Sequence, residues 1–338
     1  MRSILSILLF TCLTLTSFAQ IPIPIDSICR IIKQNSIHAK EANWVTIQDG
    51  LAEKLTAART DVDSIQSLVY VFEQLQDYHS SIIYNGRQFS HYPEFDDSTR
   101  NYLLPLVQLS RQRTGIFMAK ILENNYLYLQ VPGIQAYGDA VSEYAQRLSD
   151  TLSAYYTPTI RGVILDLRLN DGGQFSSMAA GLAILLGDGN IAGGVNSEQQ
   201  VTHQFSLREG NLYLNNYPMT AIRHQENGDL SQLPIALLIG PNTRSSGSIL
   251  AISFKGRLNT FIIGENTASG YTTGNDFFPL GNNLFLNLST SYSVDRNNQI
   301  YKLAVPPDRI LKGPDHFDLP EEDLKVREAL KWLKSLRR

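Results

Sequence analysis

The stretch Gly240–Ala251, Gly-Pro-Asn-Thr-Arg-Ser-Ser-Gly-Ser-Ile-Leu-Ala, holds three serines where a buried strand predicted over 233–239 passes into a helix. A serine at the N-terminal edge of a helix gains from the helix dipole and from neighbouring backbone N–H groups, which favours an activated hydroxyl. The same position also suits an ordinary N-cap. The Gly-x-Ser-x-Gly spacing of a nucleophile elbow is missing from the stretch, which disfavours an α/β-hydrolase.

A pair of glycines follows a second apolar strand, in Leu-Arg-Leu-Asn-Asp-Gly-Gly at 167–173. Gly172 and Gly173 allow a sharp turn that leaves backbone N–H groups facing a ligand, which is what an oxyanion hole requires. Asp-Gly-Gly is also an ordinary turn. The acidic residues do not have the spacing of a calcium loop.

One of the six histidines, His79, lies in Leu-Gln-Asp-Tyr-His-Ser-Ser at the end of an N-terminal helical region. A general base has to lie within hydrogen-bond reach of the hydroxyl it deprotonates. The other five lie in segments without a partner motif: His38, His91, His203, His224 and His316.

Three blocks taken together are more specific than each alone: Asp77–Ser80, Asp166–Gly173 and Asn242–Gly247. In this order they resemble the tail-specific (C-terminal-processing) and tricorn-core serine peptidases, from about residue 44 to the C-terminus. The resemblance implies an α/β fold, with a crotonase-like (Clp protease-like) β/α spiral core and an N-terminal helical subdomain. Two weaker blocks agree with it: Gly264–Thr267 and Val305–Asp308.

The resemblance also implies roles for single residues. Ser245 matches the nucleophile of the family. The N–H groups of Ser246 and Gly173, with Gly172 as the alternative, match the oxyanion hole. The Asp-x-Arg pair at 166–168 is expected to be structural and to hold the strand end and the neighbouring loops.

Departures from the family pattern indicate which residue serves as the general base. The tail-specific branch uses a lysine from a Gly-Glu-x-Thr-x-Gly-Lys block, and the corresponding position here is Gly270. A Ser-Lys dyad is therefore not expected. The tricorn-like branch uses a histidine at the position of His79, so the resemblance implies that His79 takes the proton of Ser245.

The group that orients His79 is left open. The histidine-using branch carries a glutamate where this chain has Tyr301, and a serine where it has Tyr78. Three carboxylates remain as candidates for the orienting group: Asp295, Glu265 and Asp77. Loss of an orienting carboxylate slows acyl transfer by orders of magnitude without abolishing it.

Hydrophobic periodicity predicts the helices, strands and loops that carry these motifs. Helical spacing dominates residues 22–83, and residues 84–113, with Pro93 and Pro105, are predicted as loop or linker. Buried strands then alternate with helices, which indicates an α/β core, and an amphipathic helix ends the chain. We assign 1–19 to a signal peptide, 20–100 to a helical subdomain and 101–338 to the peptidase core. About 30 residues separate Ile83 from the strand that begins near Gly115, too few for a PDZ domain.

The N-terminus predicts export. A basic start, an apolar run and Ser-Phe-Ala indicate a secretory signal peptide cut before Gln20. Cys12 lies inside the apolar run, so no lipoprotein anchor is expected, and we expect a periplasmic or extracellular protein, soluble after cleavage. Cys29 then has no partner for an internal disulfide, and its helical surroundings argue against a catalytic thiol.

Composition excludes several classes of ligand. A net charge of −3 in 338 residues does not indicate a nucleic-acid-binding surface. No residue spacing in the sequence implies a metal site or a cofactor site. The partner expected is a peptide or protein substrate. Two alternatives remain: a non-catalytic protein that binds peptides or apolar ligands in the same cleft, favoured by the missing glutamate, and a hydrolase of non-peptide esters or amides.

Overall fold

The computed structural model describes residues 23–223 and 230–336, so the predicted signal peptide and His224 lie outside the described residues. The helices of the described chain are α1 (Ile25–Asn35), α2 (Trp44–Thr56), α3 (Asp61–Gln74), α4 (Asp97–Arg113), α5 (Ala140–Tyr155), α6 (Phe175–Gly181), α7 (Ala183–Leu186), α8 (Ser246–Phe254) and α9 (Leu324–Ser335). The strands are β1 (Ser81–Tyr84), β2 (Arg87–Ser90), β3 (Met118–Leu122), β4 (Tyr126–Gln130), β5 (Gly162–Asp166), β6 (Gly189–Val195), β7 (Val201–Arg208), β8 (Asn211–Leu214), β9 (Tyr217–Pro218), β10 (Ile235–Ile239), β11 (Thr260–Gly264), β12 (Thr273–Gly281), β13 (Leu284–Asp295), β14 (Ile300–Tyr301) and β15 (Arg309–Ile310).

A six-stranded sheet forms the centre of the fold, in the order β15-β11-β10-β5-β4-β3. Its strands run parallel except β3, which forms a hairpin with β4. Every residue of β5 and β10 is buried because helices cover both faces of the sheet. Val163 and Leu165 face the core shared with α5, α6 and α8, whereas Ile164 faces α9.

A second sheet, of nine antiparallel strands, packs against the N-terminal helices. Its path is β2-β1-β13-β6-β7-β8-β9, with β12 and β14 also paired to β13. Ile28, Leu68 and Phe72 of α1 and α3 pack against Leu286 and Leu288 of β13. The mixed α/β core with its N-terminal helical region confirms the predicted fold class. Strands β13 and β14 form an antiparallel hairpin.

The interval 84–113 was predicted as loop, and that prediction was wrong. It contains β2 and the long helix α4. Asp96 caps α4 by accepting the Thr99 N–H at 2.8 Å, and leucines at helical spacing pack against Leu169 and Phe317. These contacts outweigh the cost of Pro105 inside the helix, which the sequence pattern treated as a break. The predicted boundary at residue 100 falls within α4.

A buried ion cluster ties the end of β5 to the C-terminal segment. The Arg168 guanidinium, with 2% of its side chain exposed, contacts Asp166 at 2.7 Å, Asp315 at 2.6 Å and Asp323 at 2.8 Å. Tyr128 donates a further hydrogen bond to Asp166 at 2.7 Å. The contacts of Asp166 and Arg168 are those of a structural pair, and Arg168 holds the start of α9 beside the sheet.

We expect Arg168→Ala to lower the free energy of unfolding by about 3–5 kcal/mol, because it leaves buried carboxylates without a counter-charge. Chemical denaturation followed by circular dichroism measures the loss. A change below about 1 kcal/mol would contradict a structural role.

Arg100→Ala is the matched control. Arg100 pairs with Asp97 on the surface, where the two side chains are 56% and 90% exposed. Loss of such a pair is expected to cost no more than about 0.5 kcal/mol.

Candidate active site

Ser245 stands at the turn between strand β10 and helix α8. Its backbone has φ +53° and ψ −128°, which is a strained conformation for a residue with a side chain. The two flanking elements hold the Ser245 backbone in this conformation, because β10 lies in the middle of the parallel sheet and α8 is almost entirely buried. The turn places the Ser245 side chain at the wall of a cavity of about 640 Å³.

The His79 ring lies against this serine, with Nε2 at 2.9 Å from the Ser245 Oγ. His79 belongs to a tight turn before β1, in which the Asp77 carboxylate accepts the N–H groups of His79 at 3.0 Å and Ser80 at 2.9 Å. Strand β1 pairs with β13, so the second sheet brings the histidine to the serine across 166 residues of chain.

A threonine contacts the other nitrogen of the ring. The His79 Nδ1 lies 2.7 Å from the Oγ1 of Thr273, the first residue of β12. Thr273 in turn contacts the Asn275 Oδ1 at 3.1 Å and the Ser289 Oγ at 3.3 Å. A neutral hydroxyl therefore occupies the place where the sequence predicted a carboxylate.

The three candidate carboxylates have other partners, so the prediction of a directly orienting carboxylate is not supported. Asp295 accepts the Tyr301 hydroxyl at 3.0 Å and the N–H of Asn297 at 2.8 Å. Glu265 accepts the hydroxyl of a tyrosine on α4, at 2.9 Å. Asp77 caps the backbone turn of His79 and reaches its ring only through a chain of hydroxyl groups. The length and direction of each carboxylate side chain determine this outcome, and the sequence does not reveal them.

The Asp77 carboxylate is the far end of that chain of hydroxyls. Its Oδ1 accepts the Ser289 hydroxyl at 3.1 Å, and its Oδ2 accepts the Ser80 hydroxyl at 2.5 Å. Ser289 lies 3.3 Å from the hydroxyl of Thr273. Two hydroxyl groups thus separate the carboxylate from the imidazole.

The paired glycines lie directly beside the serine. A Cβ placed on Gly172 would come within 2.8 Å of the Ser245 Cβ, and one on Gly173 within 2.0 Å of the Ile134 carbonyl oxygen. Both glycines have positive φ, of +107° and +97°. Only glycine meets both demands, the conformation and the close approach.

The two glycine N–H groups differ in their partners. The Gly172 N–H donates to the Asn170 Oδ1 at 3.1 Å and is already used. Within the part of the chain that the structure describes, the N–H groups of Gly173 and Ser246 have no acceptor, and both residues line the cavity with Ser245. The Ser246 Oγ donates to the Gly173 carbonyl at 2.6 Å, which couples the two segments. Gly173 and Ser246 are therefore the pair of donors available to an oxyanion.

Asn170 joins the glycine turn to the serine turn. Its amide donates to the Val131 carbonyl at 3.0 Å, its Oδ1 holds Gly172, and its carbonyl accepts the Arg244 N–H at 3.1 Å. A Cβ on Gly247 would meet Asn170 at 2.5 Å, so the start of α8 packs directly on this residue. The spacing between the two turns is thus set by one buried side chain.

The pKa of His79 is lowered from 6.5 to about 4. Burial of the ring is the largest cause, and the nearby charge of Arg244 adds to it, whereas Asp77 opposes it. The edge of the ring faces Tyr271 at 5.2 Å between centroids. At neutral pH the imidazole is uncharged and able to accept a proton.

Residues 125–311, more than half of the chain, match peptidase family S41. The chain belongs to this family. The family resemblance predicted from the motifs is thereby confirmed, together with the crotonase-like (Clp protease-like) core.

Two curated relatives and one solved structure are similar to this S41 chain. It is 31% identical over 214 residues to the nisin-resistance protein of Lactococcus lactis, an alignment that covers 63% of this chain and 62% of the relative. It is 25% identical over 202 residues to a carboxy-terminal-processing protease of Bartonella bacilliformis, covering 60% and 41%. The chain spans less than two thirds of the length of either relative. A lipoprotein from Streptococcus agalactiae shares the fold, with a TM-score of 0.69, 22% identity and coverage of 92% and 94%.

The described chain offers no second reactive centre in Cys29 or in a metal-binding cluster. Cys29 is in α1, where burial and the neighbouring Asp26 raise the thiol pKa to about 11, so the thiol is protonated at neutral pH. Across residues 23–223 and 230–336, no cluster of three or more His, Cys, Asp or Glu side chains could hold a metal ion. No helix in these ranges has both the length and the apolar character needed to cross a bilayer.

Sequence reasoning missed Thr273 and Asn275. Thr273 contacts a ring that lies 194 residues earlier in the chain, and Asn275 donates to the carbonyl of the same His79 at 3.0 Å. Their segment, Thr-Thr-Gly-Asn at 272–275, is ordinary polar strand sequence. Only the pairing of β12 with β13 places it beside the histidine.

We expect Gly173→Ala to slow covalent labelling of the protein by a fluorophosphonate probe about 100-fold or more, because the added Cβ must displace an oxyanion donor. Labelling rates from intact-mass spectrometry measure the effect. Gly86→Ala is the control, since Gly86 also has a positive φ, of +78°, but open space around it. Equal rates for the two variants would contradict the placement of the oxyanion hole.

Proposed function

We propose that this chain is a serine peptidase in which Ser245 is the nucleophile, His79 the general base and the backbone the oxyanion hole. The observation that carries the proposal is the 2.9 Å contact between the His79 Nε2 and the Ser245 Oγ, beside two unused N–H donors. Membership of peptidase family S41 supports the same reaction.

The reaction divides into two steps. In the first, His79 Nε2 takes the Ser245 proton while Oγ attacks the scissile carbonyl carbon, and the N–H groups of Gly173 and Ser246 hold the carbonyl oxygen as it becomes negative. The His79 Nε2–H then protonates the leaving amine as the C–N bond breaks. In the second step, a water gives a proton to His79, attacks the acyl-serine and releases the acid, and the Ser245 Oγ recovers its proton.

A peptide or protein substrate fits the cavity. Its lining combines the apolar side chains of Phe175, Phe205 and Ile249 with amides and hydroxyls from β12 and β13. Such walls suit an extended peptide with an apolar side chain beside the serine. The relative named a carboxy-terminal-processing protease supports cleavage near a carboxyl terminus.

The N-terminal pattern supports export as part of the proposal. Cleavage before Gln20 would release a chain that acts in the periplasm or outside the cell.

Fluorophosphonate labelling of the mature chain tests the nucleophile. We expect the wild-type chain to be labelled once, Ser245→Ala not to be labelled, and His79→Ala to be labelled about 1,000-fold more slowly, because the base is lost. Ser246→Ala is the matched control, since it removes a neighbouring hydroxyl that bonds the Gly173 carbonyl and does not face the base. It should keep labelling at Ser245.

Failure of the folded wild-type chain to be labelled would contradict the proposal and favour a binding protein. Incubation with a peptide library, followed by mass spectrometry, then separates peptides from other substrates. A labelled chain that cleaves esters but no peptide would indicate a hydrolase of non-peptide substrates.

The labelling rate is expected to depend on pH through His79. A protonated imidazole cannot take the serine proton, so the rate falls as pH drops through the pKa of His79, about 4 rather than the usual 6.5. The rate should therefore still be near its plateau at about pH 5, as long as circular dichroism shows the chain folded. A midpoint near 6.5 would show that the ring is not buried as described.

A further inference from the structure

We propose that Thr273, with its hydroxyl directed by Asn275, is the positioning residue that sets the tautomer of His79 in place of a carboxylate. The inference rests on the proposed function of the Ser245–His79 pair for its consequence, but its geometry stands on its own. Thr273 is 1% exposed, and its Oγ1 lies 2.7 Å from the His79 Nδ1.

A hydrogen bond to the His79 carbonyl fixes the orientation of the Asn275 side-chain amide. Its Nδ2 donates to the His79 carbonyl oxygen at 3.0 Å. A flipped amide would place its own oxygen against that carbonyl, so the Nδ2 has to face His79. The Oδ1 then faces the Thr273 hydroxyl, at 3.1 Å, and can only accept a hydrogen bond from it.

The direction of the Thr273 hydroxyl follows. A threonine hydroxyl has one proton to donate. The Ser289 hydroxyl is committed to the Asp77 carboxylate at 3.1 Å, so it does not supply the Asn275 Oδ1. If Thr273 donated to His79 instead, the Asn275 oxygen would lose its donor in a partly buried place, which is costly. The Thr273 proton therefore points away from the ring.

The tautomer of His79 is the result. The Thr273 oxygen presents a lone pair to Nδ1, so the Nδ1 must carry the ring proton and donate it. Nε2 is then unprotonated and accepts from Ser245 Oγ, at 2.9 Å. In the opposite tautomer the Nε2–H would donate to the Ser245 Oγ, and two acceptors, Nδ1 and the Thr273 oxygen, would face each other on the threonine side.

The arrangement also explains how the site manages without an adjacent negative charge. An aspartate in this place would both fix the tautomer and stabilise the imidazolium. Thr273 fixes the tautomer but does not stabilise the imidazolium, because it carries no charge. Asp77 is separated from Thr273 by the hydroxyl of Ser289. The low pKa of His79 agrees with a ring that lacks a direct ion pair.

Nitrogen-15 NMR of histidine-labelled protein tests the tautomer directly, and His79→Gln identifies the His79 signal. In the wild-type chain we expect the ring proton on Nδ1. In Thr273→Val, which keeps the branched shape without the hydroxyl, we expect a mixture of tautomers or the Nε2–H form. Thr273→Ser should restore the wild-type spectrum.

Thr272→Val is the matched control. Thr272 is the neighbouring buried threonine, and its hydroxyl has no hydrogen-bond partner within the described chain. Its loss removes the same group at the residue just before β12 and should leave the His79 signal unchanged.

The labelling rate provides the second measurement. We expect Thr273→Val to slow labelling of Ser245 about 10- to 100-fold, the usual effect of losing a hydrogen bond to a group that becomes charged. Thr273→Ser should stay within about threefold of the wild type, as should Thr272→Val.

The outcomes separate this inference from the proposed function. An Nε2–H tautomer in the wild type, or an unchanged tautomer in Thr273→Val, overturns the inference whatever the activity. The expected tautomers in a chain that the probe does not label would support the inference and contradict the peptidase proposal.

Discussion

The parallel pairing of β5 with β10 is the constraint on which the rest of the site depends. Strand pairing sets Leu238 beside Asp166, so both strands end at the same edge of the sheet. The glycine turn leaves one strand and the serine turn leaves the other, and Asn170 fills the gap between them. Because parallel strands present their carboxyl ends together, two segments 73 residues apart meet at one edge of the sheet.

His79, the proposed base, is brought to this edge by the second sheet. His79 leads into β1, and β1 belongs to the antiparallel sheet through its pairing with β13. The same β13 pairs with β12, which starts at Thr273. One long strand therefore aligns the histidine with the group that contacts its second nitrogen. The proposed nucleophile and oxyanion donors follow strands of one sheet, and the proposed base and Thr273 are positioned by the other.

The hydrogen-bond partners of the His79 side chain and carbonyl are neutral groups. The ring nitrogens of His79 contact the hydroxyls of Thr273 and Ser245, and the charged cluster around Arg168 lies at the end of β5, where it contacts the C-terminal segment. A buried neutral imidazole keeps its proton-accepting form at low pH, but its protonated form receives little help from a counter-charge. This balance follows from the separation of Asp77 from the ring by Ser289 and Thr273.

Residue types and their order were sufficient for the α/β class and the family resemblance, because buried strands and the motifs at their ends are local signals. The approach of His79 to Ser245 was implied only by that resemblance, since the pairing of β1 with β13 brings the two together across 166 residues. Tertiary structure alone decided that α4 is a helix despite Pro105, since its stability comes from contacts with Leu169 and Phe317. It also decided the neighbour of the His79 Nδ1. Three carboxylates were plausible by composition, yet the register of β12 on β13 places a threonine there. Register and side-chain reach depend on packing over long sequence separations, and no local pattern encodes them.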